Sequence, residues 1–200
     1  VTDRDIRVCF AGDSFVAGTG DETALGWVGR VAAAGIARGL ALTTYNLGVR
    51  GFTSVQVGRR LAIEARPRLT TAEDPRIVVS FGVNDTLLEG GRQRATTEQT
   101  LEALRSMRHR SAPIPLLLVG PPAVDEEAQN ERIRLLDAAL AAEAADLGIP
   151  WVSVLAATEA DPAWRTAVHE GDGFHPSAAG YALLASVVTQ PILTWLTHPA

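Results

Sequence analysis

Cysteine is nearly absent. Cys9 is the only one, so neither a disulfide framework nor a cysteine zinc cluster can be built. It lies in an apolar run expected to be a central strand and reads as a small buried hydrophobe. An excess of positive charge is missing too: 18 Lys+Arg stand against 23 Asp+Glu, for a net charge of −5. With the arginines scattered among acids, non-specific binding to nucleic acid or to an anionic membrane is disfavoured. No apolar run reaches the roughly 18 residues of a membrane span. The polar N-terminus, Val1-Thr2-Asp3-Arg4-Asp5, lacks the basic-then-apolar form of a signal peptide, so a cytoplasmic protein is the expectation. No repeat, low-complexity tract or Pro/Ser-rich linker divides the chain. Its 200 residues suit one α/β domain, residues 1–200, with a full hydrophobic core.

What is present is an alternation of strand-like and helix-like runs from end to end. Ile6 to Phe10 is a short apolar run closed by Ala11-Gly12, which reads as a buried strand entering a sharp turn. Gly26 to Gly39 carries Trp27, Val28, Val31 and Ile36 at helical spacing. Leu40 to Leu47 is the next strand, followed by a helix capped at Thr53 or Ser54 and bearing Val55, Val57, Leu61 and Ile63. Ile77 to Phe81 is the cleanest strand. Thr96 or Thr97 opens an amphipathic helix with Leu101, Leu104 and Met107 on its apolar face. Pro115 to Val119 is a fourth strand, Asp125 to Leu147 a long helix ended by Gly148, Trp151 to Leu155 a fifth strand, and Pro176 to Leu196 a last helix. Continuously apolar strands joined by helices imply a parallel sheet covered on both faces, hence a three-layer α/β/α sandwich. A doubly wound order with the first strand central is expected.

Four blocks fall at strand ends or in loops on one rim of that sheet, where ligands meet open parallel sheets. They are Gly12-Asp13-Ser14-Phe15, Asn46 to Thr53, Gly82-Val83-Asn84-Asp85 and Asp172-Gly173-Phe174-His175-Pro176. Each has an ordinary reading: Asp and Ser are common turn and N-cap residues, and a lone histidine is often packed or solvated. Together they supply a nucleophile, a base with an acid three residues before it, a side-chain amide and a backbone glycine. Those are the parts that acyl transfer requires.

In these blocks, in their order, and over nearly the whole length, the chain resembles the SGNH hydrolases, the GDSL-like esterase/lipase superfamily. The resemblance implies a flavodoxin-like three-layer fold with a five-stranded parallel sheet, and hydrolysis of small-molecule carboxylic esters without metal or organic cofactor. It further implies Ser14 as nucleophile, His175 as general base and Asp172 as the acid that orients the imidazole. The implied oxyanion hole comprises the backbone N–H groups of Ser14 and Gly51 and the amide of Asn84. The family's common leucine after the serine is Phe15 here. A polar residue common after the glycine is Phe52, which either lines the pocket or packs under the loop.

Among rival residues, His169 lacks an acid three positions earlier, and His109 and His198 read as solvated. Asp13 and Asp85 read as turn-holding carboxylates rather than a metal centre. Arg50 would contact an anionic substrate group or form a loop salt bridge. Trp27, Trp151 and Trp195 read as packing residues, whereas Trp164, in a loop-like Asp161-Pro162-Ala163-Trp164, is placed to line a pocket. The acyl site is expected among the loops after Ser14, Gly51, Asn84 and Pro121, with residues 161 to 173 as a lid over an open cleft for short chains. Two other classes stand beside the esterase. A catalytically silent scaffold that only binds predicts a missing catalytic part, and none is missing. A nucleotide binder using Gly12 and Gly18-Thr19-Gly20 lacks both the phosphate-loop lysine and the dinucleotide fingerprint.

Overall fold

The computed structural model describes residues 4–198; of the polar N-terminal stretch, Val1 to Asp3 lie outside the described residues. The elements in chain order are β1 (Ile6–Gly12), α1 (Ser14–Ala17), α2 (Gly26–Ala37), β2 (Leu42–Gly48), α3 (Ser54–Leu69), β3 (Asp74–Ser80), α4 (Val83–Thr86), the hairpin β4 (Leu88–Glu89) and β5 (Arg92–Gln93), α5 (Thr97–Ser111), β6 (Leu116–Val119), α6 (Glu127–Asp146), β7 (Trp151–Val152), α7 (Leu155–Ala160), α8 (Pro162–Glu170) and α9 (Ala178–Thr197). The main sheet has the order β2-β1-β3-β6-β7, and every pair in it is parallel. It is the five-stranded α/β sandwich expected. β1 is an interior strand rather than the middle one, a place that β3 takes.

Alternation along the strands builds a core on each face of the sheet. Ile6, Val8 and Phe10 of β1 point to one side with Val78, Leu117 and Val119, against Trp27 and Val31 of α2 and Leu184, Val188 and Ile192 of α9. Cys9 and Ala11 point to the other with Ile77, Val79 and Leu118, against Leu61 of α3, Leu104 and Met107 of α5 and Leu136 of α6. Burial pushes the Cys9 thiol up to about 12, as suits a small packed hydrophobe. Both faces being covered is why these strands read as unbroken apolar runs.

Several boundaries differ from the sequence reading, each for a local reason. β7 stops at Val152 instead of Leu155. The Gly120 N–H donates to the Val152 carbonyl, and Pro121 and Pro122 beyond it have no N–H to extend the ladder. Ile63 and Ile36, read as apolar-face residues, are exposed. Ile63 lies two positions past the buried Leu61, about 200° around the helix, and so faces water. Residues 161 to 173 are no irregular lid: Pro162–Glu170 is helical, and the Asp161 carboxylate accepts the Trp164 N–H at 2.6 Å as its N-cap.

α9 also corrects the expectation about long apolar runs. It is 20 residues long, with a mean hydropathy of 1.3 over its most apolar 18-residue window, so length and composition alone would let it cross a membrane. In the fold its Tyr181, Leu184, Val188, Ile192 and Leu196 are buried against the sheet and α2. Its apolar character is that of a core helix.

Candidate active site

β1, β2 and β3 end on one rim. The chain leaves β1 for β2 on one side and later returns to β3 on the other, so the loops after β1 and β3 diverge. A crevice opens at such a switch point. Ser14 follows β1, and Asn84 follows β3.

Glycine lets the chain turn tightly enough to put Ser14 there. A Cβ on Gly12 would meet the Ser80 carbonyl oxygen at 2.0 Å, and one on Gly48 would meet the Ala17 nitrogen at 2.2 Å. Strand ends and the serine turn therefore approach closer than any side chain permits. Asp13 caps α1 by accepting the Phe15 N–H at 3.0 Å. The second turn spans Val49 to Phe52, whose N–H donates to the Val49 carbonyl at 3.3 Å. Gly51, its third residue, has φ of +77°. Positive φ at the third position of a turn is what glycine accommodates. Neither the Ser14 nor the Gly51 N–H has an acceptor among the described residues.

His175 comes from the loop before α9. Its Nε2 is 2.7 Å from Ser14 Oγ, and its Nδ1 is 2.7 Å from Asp172 Oδ2. The other Asp172 oxygen accepts the His175 and Phe174 backbone N–H groups at 2.8 and 3.0 Å. Burial opposes charge on Asp172, but the hydrogen bonds from the His175 backbone and ring and from Phe174 outweigh it and hold the carboxyl at about 2. Gly173, with φ of +83°, lets so short a segment fold back on itself. The Phe15 ring lies 5.2 Å from the imidazole and is stacked on Trp164 at 6.4 Å.

Asn84 Nδ2 donates to the Phe52 carbonyl at 3.0 Å and, at 3.3 Å, to Asp13 Oδ2. Both partners are acceptors, which fixes the amide nitrogen toward them. Asp85 is buried and accepts from the Ser54 hydroxyl and N–H and from Thr100 Oγ1, tying α4 to α3 and α5. Burial raises its pKa against those donors. Asp13 and Asp85 thus hold loops, as the sequence reading had it.

Ser14, Gly51, Asn84 and His175 line one cleft of ≈ 300 Å³, and Phe15, Val83, Leu87 and Phe174 form its apolar walls. Arg50 stands at the same cleft and has no ion pair among the described residues, so the loop salt bridge is not what it forms. Pro121 and the segment 161 to 173 do not line it. Phe52 packs under its loop, with the Arg60 guanidinium over its ring at 5.3 Å. Trp164 does not line it either. It is 1% exposed, and its indole N–H donates to the Ala123 carbonyl at 3.0 Å. The Asp-Pro pair at the start of α8, an N-cap followed by proline in the first turn, was the available signal that this segment is a helix. His169 has a carboxylate after all, Asp125 at 3.0 Å, but the pair is exposed and lies in a separate surface cleft. A larger cleft of ≈ 490 Å³ between α3 and α5 holds none of the four blocks.

A clasp between the serine and histidine loops escaped the sequence reading. The Tyr181 hydroxyl donates to the Thr19 carbonyl at 2.7 Å, the Ala178 N–H donates to Glu22 at 2.9 Å, and Arg30 donates to the Ala178 carbonyl at 3.2 Å. A Cβ on Gly20 would meet His175 Cβ at 3.1 Å. The partners lie about 160 residues apart, and no local pattern announces them.

Asp13 carries a pH prediction. Burial raises its pKa from 3.8 to about 7, with the Phe15 N–H pulling the other way and the charge of Asp85 adding to the rise. Such a carboxyl holds its proton more tightly folded than unfolded. Its stabilising contribution is complete below about pH 4 and is lost as pH rises through about 7, on the order of 4 kcal/mol. Thermal melts of wild type and Asp13→Asn from pH 4 to 8 check this: the wild type should fall more steeply, and parallel curves would remove Asp13 from the account.

The model of the GDSL-like lipase/acylhydrolase family matches residues 10–183. Among solved structures, the lipase/acylhydrolase from Enterococcus faecalis is similar with a TM-score of 0.78 at 26% identity, over 94% of this chain and 96% of that one. The acetylxylan esterase Axe2 from Geobacillus stearothermophilus has a TM-score of 0.72 at 18% identity, over 93% of each chain, a likeness in fold. Catalytic mutants of that esterase at one serine, one histidine and one aspartate are among the similar structures. Comparison with curated proteins found no match.

Proposed function

Because the chain belongs to the GDSL-like lipase/acylhydrolase family and is a carboxylic ester hydrolase, we propose that it works as one domain through a serine acyl-enzyme formed on Ser14. His175 is the general base and Asp172 the group that orients it. The observation that carries this reading is the unbroken relay Ser14 Oγ, His175 Nε2, His175 Nδ1 and Asp172 Oδ2, with 2.7 Å at each contact. A free serine hydroxyl is a poor nucleophile, so a base must take its proton as it attacks. Nε2 takes it while Oγ bonds to the ester carbon, and the carbonyl oxygen becomes an oxyanion. The unpaired N–H groups of Ser14 and Gly51 are the donors that meet that charge, and the Asn84 amide joins them by giving up the longer of its two bonds, the 3.3 Å one to Asp13. As the tetrahedral species collapses, the imidazolium returns the proton to the departing alcohol. Water then repeats the sequence on the acyl-enzyme: Nε2 takes its proton, the acid leaves, and Oγ is protonated again.

An open cleft of ≈ 300 Å³ with apolar walls suits short acyl chains. Acetate and butyrate esters of p-nitrophenol should be hydrolysed, with kcat/KM for octanoate lower by roughly tenfold or more. A fluorophosphonate should label Ser14, read by mass spectrometry. Labelling without turnover of any of these esters would leave the nucleophile competent and exclude this substrate class. An unlabelled Ser14 would favour the silent scaffold.

A further inference from the structure

We propose that Arg50 selects for substrates that carry an anion, a carboxylate or phosphate group, close to the scissile ester. The inference rests on the esterase reading above and goes beyond it by naming a substrate class.

The turn that carries Gly51 also fixes Arg50, one residue before it. The Val49 N–H donates to the Gly12 carbonyl at 3.0 Å, and the Phe52 carbonyl accepts from Asn84. Arg50 is thus held at the corner of a turn pinned to β1 on one side and to α4 on the other. It lines the same cleft as Ser14 and His175. No other permanently charged side chain lines that cleft among the described residues.

Some arginines have carboxylate partners, such as Arg30 with Asp21, Arg76 with Asp74 and Arg105 with Glu143, and others, such as Arg38, Arg59 and Arg165, have none among the described residues; what sets Arg50 apart is that it stands at the cleft of Ser14. Arg50 has none within ion-pair distance among the described residues, in a chain whose acids outnumber its bases. Its charge also reaches inward. Burial and the charges of Asp13, Asp21 and Asp172 push the buried Tyr181 hydroxyl up, and Arg50 is the cation that pulls it back.

A guanidinium stays protonated at any pH the fold survives, and its planar fork matches carboxylate and phosphate oxygens in pairs. Arg50 is itself exposed, so an incoming anion can reach it, and it shares its cleft with Phe15, Phe174 and Leu87. A bound anion would complete the one charge the cleft leaves without a counterpart.

The test pairs an anionic with a neutral ester on each side of the bond: 4-acetoxybenzoate with its methyl ester, and mono-4-nitrophenyl glutarate with 4-nitrophenyl butyrate. The readout is the anionic-to-neutral ratio of kcat/KM in wild type, Arg50→Gln and Arg50→Lys. The wild-type ratio should fall by about tenfold in Arg50→Gln in at least one pair, with partial recovery in Arg50→Lys. The pair that responds tells whether the anion sits on the alcohol or the acyl side. Ratios that do not move in a folded Arg50→Gln, checked by circular dichroism, or a wild type that prefers the neutral ester in both pairs, would overturn the proposal and leave the esterase reading standing. A wild type that hydrolyses none of the four and is not labelled by a fluorophosphonate would overturn the esterase reading itself.

Discussion

Ser14→Ala is expected to lower kcat on p-nitrophenyl acetate by about 10⁴- to 10⁶-fold, with the thermal midpoint almost unmoved. The two halves of that expectation have separate grounds. The Ser14 side chain makes one hydrogen bond, to His175 Nε2, and without Oγ no covalent intermediate can form. The remaining activity would come from the two unpaired N–H groups, Asn84 and the imidazole acting on water. Stability should hardly change, because the turn is held by Asp13, the Ala17 to Asp13 backbone bond and the close approach of Gly48, none of which uses the hydroxyl. Active-site titration with a fluorophosphonate would guard against traces of wild-type enzyme. A variant within tenfold of wild type would end the serine mechanism.

The second large effect is at Asp172. Asp172→Asn should cost about 10³- to 10⁴-fold in kcat, measured on the same ester. The carboxylate does two things. It accepts two backbone N–H groups, which shapes the loop, and it accepts from Nδ1, which leaves Nε2 free to take the serine's proton. An asparagine can keep the first role through its oxygen. Its NH2 would then face Nδ1 as a donor, favour the opposite tautomer and turn Nε2 into a donor toward Ser14. Because Asp172 is 53% exposed, part of its electrostatic effect is screened, and the lower end of the range is the fair expectation. A change below tenfold would make Asp172 a loop anchor only.

The sheet was legible in the sequence because its strands are buried on both faces and so read as continuous apolar runs. The rim was legible because Ser14, Gly51, Asn84 and His175 each sit beside a glycine or a strand end, where local pattern carries meaning. The structure brings all of them to one cleft and adds Asp172 to His175. The segment before the histidine reads as a loop because Asp161-Pro162 is turn chemistry, although the same pair is also a helix start, and as a helix it turns Trp164 into the core. Ile63 and Ile36 were misread because apolar type was counted without tracking the angle around the helix. The clasp of Tyr181 on Thr19 and of Glu22 on Ala178 was out of reach. Tertiary contacts between opposite ends of a chain leave no trace in short windows.

That clasp bears on how the protein comes into being. Ser14 and His175 are 161 residues apart, and α9, which carries the histidine loop's anchor, packs against α2 from the opening stretch of the chain. In folding, the serine has no base until the loop that carries His175 is in place. Docking of α9 therefore does two jobs at once: it closes one face of the core and it seats the histidine loop beside the serine, so that folding and activation are a single event.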